Sequence, residues 1–182
     1  MLNRRLKNEH ILSGQRPKDM HCDKHVVKMV LEYAQLLSTA HRVLDGDEWA
    51  DNAQLYKATH KNHPSAIWAR ESAGNYFWLN KLFQQLCKEY TKRYGKTHAT
   101  QFKLGNKLCV LPNSLNTGYE GLETDFTEPP QCMPDHCKVE GDAIMGYHNY
   151  YIREKSYMAR WNFTPEPIWY TIGMACEMKG AA

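Results

Sequence analysis

The sequence predicts a mainly α-helical single domain, a bundle of about three major helices with shorter ones and long irregular loops. Three observations carry that expectation. Apolar residues recur at steps of three and four over 22–44, 65–94 and 142–161. Clusters of Gly, Pro, Asn and Asp punctuate the chain between those stretches. The one strand candidate is a short apolar piece near Cys109–Leu111.

Taken in order, residues 1–20 are polar and without a sustained period, so they read as an irregular lead-in. A helix is expected from about Cys22 to Leu44, stopped by Asp45-Gly46-Asp47. It is apolar over most of its circumference, through Val26, Met29, Val30, Tyr33, Leu37 and Ala40 and also through Val27, Leu31 and Ala34. Between those faces runs a narrow polar stripe: His25, Lys28, Glu32, Gln35 and Thr39. Asp47 suits the N-cap of a short helix reaching about Ala58.

The polar turn Thr59-His60-Lys61-Asn62-His63 leads into Pro64, a residue suited to a first helical turn. One long amphipathic helix is then expected from Ser65 to Tyr94, with Gly95 at its C′ position and Gly74 as its weak point. Thr97 to Leu108 reads as a further short helix. Residues 109–135 read as a long loop, stiffened near its end by Pro129-Pro130 and Pro134. The third major helix is expected over Asp142–Trp161, and the remainder, with Pro165 and Pro167, wraps back through Trp169 and Ile172.

The 182 residues suffice for a core, and no second domain or internal repeat is visible. The formal charge of +3 is a mild basic bias, too small by itself to establish nucleic-acid binding. No apolar run approaches the about 18 residues of a membrane span, and the start lacks the apolar core of a secretory signal. Six cysteines at irregular spacing suit reduced thiols, so a cytoplasmic protein is expected.

Polar groups on a helix with two apolar sides must find partners or line a wet cleft. The structural reading of the stripe is an internal network with Lys28–Glu32 as an i,i+4 pair. The functional reading is a cleft in which a glutamate assists attack on a sugar and a desolvated lysine supplies an amine. Lys61 and His63, just before a helix, suit phosphate contact. Lys88, Lys92, Arg93 and Lys96 add a basic patch. Tyr147, Tyr150, Tyr151, Arg153, Lys155, Tyr157, Arg160 and Trp161 interleave aromatics with cations, the composition that base stacking and phosphate contact use, although helical-period aromatics are commonly core. His21, Cys22 and His25 with Cys132, His136 and Cys137 offer zinc-type ligands. Neither half has Cys-x-x-Cys spacing, so no metal and no cofactor are expected.

The runs Cys22-Asp23-Lys24-His25-Val26-Val27-Lys28-Met29, Lys61-Asn62-His63-Pro64-Ser65, Tyr94-Gly95-Lys96, Pro129-Pro130-Gln131 and Met133-Pro134-Asp135 resemble an uncharacterised family of bacteriophage proteins, over most of the chain after residue 20. More remotely, the order Asp-x-His, a glutamate seven residues on, then His-Pro and an aromatic helix is similar to the pyrimidine-dimer DNA glycosylase group. That resemblance implies base excision from damaged or modified pyrimidines, with or without strand cleavage. It places Asp23 and His25 on the group's helix-opening pair and Glu32 on its catalytic glutamate. Leu2 stands where the group has a small residue with a nucleophilic α-amine, and Leu31 where it has a DNA-contacting arginine. Lys28 or the amine of Met1 would then act, or the bond would be hydrolysed directly.

The expected catalytic residues are therefore Glu32, His25 and Lys28, with Lys61, His63, Arg93, Lys96, Tyr151 and Lys155 contacting DNA, in duplex form. If the chain is phage-encoded, it would work in the host cytoplasm. The alternative is a module that binds nucleic acid, or inhibits a host protein, without turnover.

Overall fold

Val26, Val30, Ala34 and Leu37 follow one another at steps of four, four and three, and all are sealed from solvent. The helix they require is α1, Asp23–Leu44, in a computed structural model that describes residues 21–116 and 125–180. The lead-in therefore lies outside the described residues, as do 117–124 of the long loop. Six helices follow: α2 (Asp47–Asn52), α3 (Pro64–Glu71), α4 (Ala73–Tyr94), α5 (Ala99–Leu104), α6 (Ala143–Glu154) and α7 (Ile168–Gly180). Among the described residues there is no strand. The apolar piece near Cys109 is the end of a 3-10 turn, Lys107–Cys109.

α1 packs along α4 and α3, and the main core lies between them. Its centre is Val30, Ala34, Leu37, Tyr76, Phe83 and Leu86. Full burial of each large apolar side chain stabilises by about 1.5–3 kcal/mol. A second cluster joins Cys22 at the start of α1 to Tyr151 of α6, Ala159, Trp161 and Tyr170 of α7.

Several boundaries differ from the periodicity for local reasons. The helix expected over 65–94 is two, because Ser72 is extended (φ −150°, ψ 158°) and its hydroxyl caps α4 by accepting from Asn75 N–H at 3.1 Å. The break falls two residues before Gly74. α2 stops at Asn52 instead of about Ala58, since Gln54 turns at φ 57°. Arg42 then gathers the carbonyls of Leu55 and Tyr56 and the carboxylates of Asp47 and Asp51. Gly95 ends α4 at φ 66°, the left-handed conformation expected of it.

α6 ends at Glu154, seven residues before Trp161. The Arg160 carbonyl accepts from Asp23 N–H, and Asn162 donates to the Asp23 carboxylate, so this strip of chain is straightened against the start of α1. The C-terminal stretch, expected only to wrap back through Trp169 and Ile172, is the helix α7, whose first turn begins on the Pro167 carbonyl. No helix of the described residues is long and apolar enough to cross a membrane.

Candidate nucleic-acid site on α1 and α6

The α1 polar stripe opens to the surface at its N-terminal half and closes at its C-terminal half. Lys28 Nζ lies 2.9 Å from Glu32 Oε1, with side chains 67% and 37% exposed. That pair faces water and contributes little to stability. It also corrects the expectation of a desolvated lysine: Lys28 is the most hydrated member of the group. Thr39, further along, is buried and shares hydrogen bonds with the Thr59 backbone.

His25 is half-buried between α1 and α6, its Nδ1 in a short hydrogen bond with the Tyr151 hydroxyl. Burial, and then the charges of Lys28 and Lys155, lower its pKa to about 4. The imidazole is therefore neutral at pH 7, a proton acceptor or neutral donor and not a cation. Burial pushes the Tyr151 phenol up, so its hydroxyl keeps its proton, and it also hydrogen-bonds Cys22. Tyr151 itself is only 9% exposed, with its ring inside the second cluster. The expectation that it stacks on a base is thereby corrected: it positions His25 from beneath.

A second histidine–tyrosine pair runs alongside. His21 Nε2 and the Tyr33 hydroxyl are 3.0 Å apart. The Tyr33 phenol is pushed up by burial and by nearby Tyr147 and Glu32, which places those two side chains around it. Tyr147 donates to the Pro130 carbonyl, and Cys132 touches Ser65 at 3.5 Å. The 130–132 segment thus links α6 to the start of α3. Just past the end of α6, Lys155 lies over the Tyr150 ring at 4.9 Å. The sequence placed Tyr33 on the apolar face of the helix, and its hydroxyl pairs with His21, twelve residues earlier.

The remaining expected residues are dispersed. Lys61 is exposed and lines an open hollow of about 400 Å³ with Arg42, Asp47, Asn62 and Arg70. Arg42 is 17 residues from His25, about 26 Å along α1. That separation is too long for one small ligand and equals about eight base-pair steps of duplex. His63 is exposed and its Nδ1 caps α3, accepting from Ser65 N–H at 3.2 Å. Lys96 is exposed just beyond Gly95.

Arg93 is a clear correction. Its side chain is sealed inside (0% exposed), with Nε 2.7 Å from Glu89 Oε1 and Nη1 3.0 Å from Asp23 Oδ1. It also donates to the His21 carbonyl. A guanidinium committed to two buried carboxylates is not available to a phosphate. Asp23, expected to open the helix, does so as the acceptor of Arg93 and Asn162, and it joins α4 and the 160–162 strip to α1.

The combined zinc set does not assemble. His21 goes to Tyr33, His25 to Tyr151, Cys132 to Ser65 and His136 to Glu154. A carboxylate–imidazole–phenol chain, Asp45–His41–Tyr76, was missed by sequence reasoning. His41 lies 2.6 Å from Asp45 and 2.9 Å from Tyr76. The His41 and Asp45 side chains are at most 2% exposed, so this chain braces the core and meets no substrate. Comparisons of the chain with models of known families, with curated proteins and with solved structures each find no match.

Proposed function

We propose that the chain processes DNA at the α1–α6 surface, with Glu32 as the acting carboxylate and His25 and Lys28 in support. The observation that carries this reading is the placement of Glu32. Its half-exposed carboxylate is oriented by Lys28. On the same stripe, seven residues or about two turns earlier, stands a neutral imidazole fixed by a buried phenol. A carboxylate in that setting can stabilise an oxocarbenium-like sugar or direct a water at C1′, the step that base excision needs. Lys155, Tyr150 and Tyr147 beside it supply cation and ring contacts, and Lys61 and His63 lie further along the path of a duplex. Reaching a base within a duplex requires that base to be extruded. Such work belongs in the cytoplasm, where unpackaged DNA is found.

A duplex carrying one cyclobutane pyrimidine dimer, or one modified pyrimidine, tests the reading. Wild-type protein should release the base or nick the strand, and Glu32→Gln should lose this while retaining binding. Absence of both reactions on every substrate, at protein concentrations that bind the duplex, would overturn it.

The exposure of Val27 and Leu31 (41% and 39%) next to Lys28 favours a second reading, in which this surface binds nucleic acid or a host protein without turnover. Binding with a steep salt slope and no chemistry would identify the nucleic-acid form.

A further inference from the structure

At the C-terminal end of α6, three side chains of different donor chemistry converge. His136 and Cys137 are neighbours in the 3-10 turn Asp135–Cys137, started by Pro134, and Glu154 closes α6. One ligand atom from each lies within 4.8 Å of the other two, and His136 Nε2 is 2.8 Å from Glu154 Oε1. Among the described residues no other group of three or more His, Cys, Asp or Glu meets that criterion. We propose that His136, Cys137 and Glu154 bind one zinc ion, or a like divalent transition metal, with an open fourth position.

The ligand set fits that class of ion. Tetrahedral zinc with thiolate, imidazole and carboxylate ligands holds S and N about 3.6 Å apart and N and O about 3.4 Å apart. The 2.8 Å His136–Glu154 contact need only open by about half an ångström, and the sulfur, within 4.8 Å of both, need close by at most about 1.2 Å. Thiolate and carboxylate together neutralise the ion. Cys137 binds as thiolate and its proton leaves to solvent. His136 is exposed and Glu154 half-exposed, so the ion would sit at the surface with its fourth position open to water.

The surroundings point the same way. Asn149 donates to the Cys137 carbonyl, and Arg153 donates to the His136 carbonyl while its Nε holds Glu177 at 2.7 Å. Both ligand backbones are thereby fixed from α6 before any ion arrives. Asp135 is occupied by Lys138 at 2.7 Å and does not compete. The Cys137 side chain is buried, with its sulfur within 4.8 Å of the His136 and Glu154 ligand atoms.

Cobalt(II) titration of the reduced, chelator-treated full chain tests the proposal. The expected result is a sulfur-to-cobalt charge-transfer band with tetrahedral visible bands, saturating at one ion per chain and abolished by zinc. Zinc affinity, measured against a chromophoric chelator, should fall at least about 100-fold in Cys137→Ser, Glu154→Gln and His136→Gln. Cys132→Ser and Cys176→Ser should leave the band intact. Glu154→Gln and His136→Gln alter exposed or half-exposed positions, so they decide the matter even if Cys137→Ser does not fold. A missing charge-transfer band, or one that survives all three ligand substitutions, would overturn the proposal.

Discussion

Replacing Arg93 by methionine should unfold the protein far more readily than loss of a surface cation could. The substitution keeps the aliphatic volume and removes the guanidinium that stands between Glu89 and Asp23. Glu89 has a side chain with no solvent exposure and Asp23 one with 11%, so both carboxylates would be left without their cation. Lys92 reaches Glu89 Oε2 only at 3.8 Å and from a largely exposed position, too far to take over. Breaking a buried pair in this way costs about 3–5 kcal/mol. Against a total of about 5–15 kcal/mol for a domain, that is a large fraction. With a urea slope of about 2 kcal/mol/M, the midpoint should drop by about 2 M. Adding Glu89→Gln to Arg93→Met removes one stranded charge and should restore part of the loss. Urea denaturation followed by far-ultraviolet circular dichroism measures both. A single variant within about 0.5 kcal/mol of wild type would refute the buried network and return Arg93 to the surface.

Acid should destabilise the fold earlier than the carboxylates alone would. His25 and His148 have pKa values lowered from 6.5 to about 4, chiefly by burial. Between those values the unfolded chain binds more protons, so stability is full above pH 6.5 and falls as pH drops toward 4. His148 stacks flat on Trp169 at 3.9 Å, and His148→Phe, which preserves the stack, should flatten the pH 4–6.5 limb of a melting-temperature profile; an unchanged limb would contradict the burial. Gly146→Ala should also destabilise the 131–146 region by about 1–3 kcal/mol, because an added Cβ would sit 2.1 Å from Gln131 Oε1. Gln131 cannot move freely, since its amide is bonded at both ends to the Val139 backbone. A denaturation midpoint equal to wild type would show that Gln131 yields.

Where local chemistry and packing agree, the sequence was readable. The α1 helix, the Gly95 stop and the buried faces of α1 and α4 all follow from period, cap and turn residues. The boundaries that moved did so through contacts distant in sequence. Asp125 and Thr127 accept and donate around Ser72 and Asn75 and fix the α3–α4 break. Asp23 straightens 160–162 and cuts α6 short. α7 offers no clear amphipathic period and exposes Ile168 and Ile172, so its helix was hidden among aromatic and proline residues.

The candidate site was legible only as a stripe on one helix. Its partners Tyr151, on α6, and Lys155, at the C-cap of α6, arrive more than 120 residues later, and periodicity cannot pair them with His25. Burial sorted the basic residues as well. Lys28 and Lys61 reach water, whereas Arg93, identical to them in sign, is consumed by carboxylates that its own helix and α1 bring to it.

The proposed function requires DNA to lie along the polar face of α1 with α6 beside it. Amide chemical-shift mapping of the isotope-labelled full chain, titrated with a short duplex containing one lesion, measures this directly. The largest shifts should fall on Lys24–Gln35 and Tyr147–Lys155, with smaller ones at Lys61–Ser65, and Glu32→Gln should leave the footprint in place. Shifts confined to α7 or to the Lys103–Lys107 region, with α1 untouched, would contradict the account.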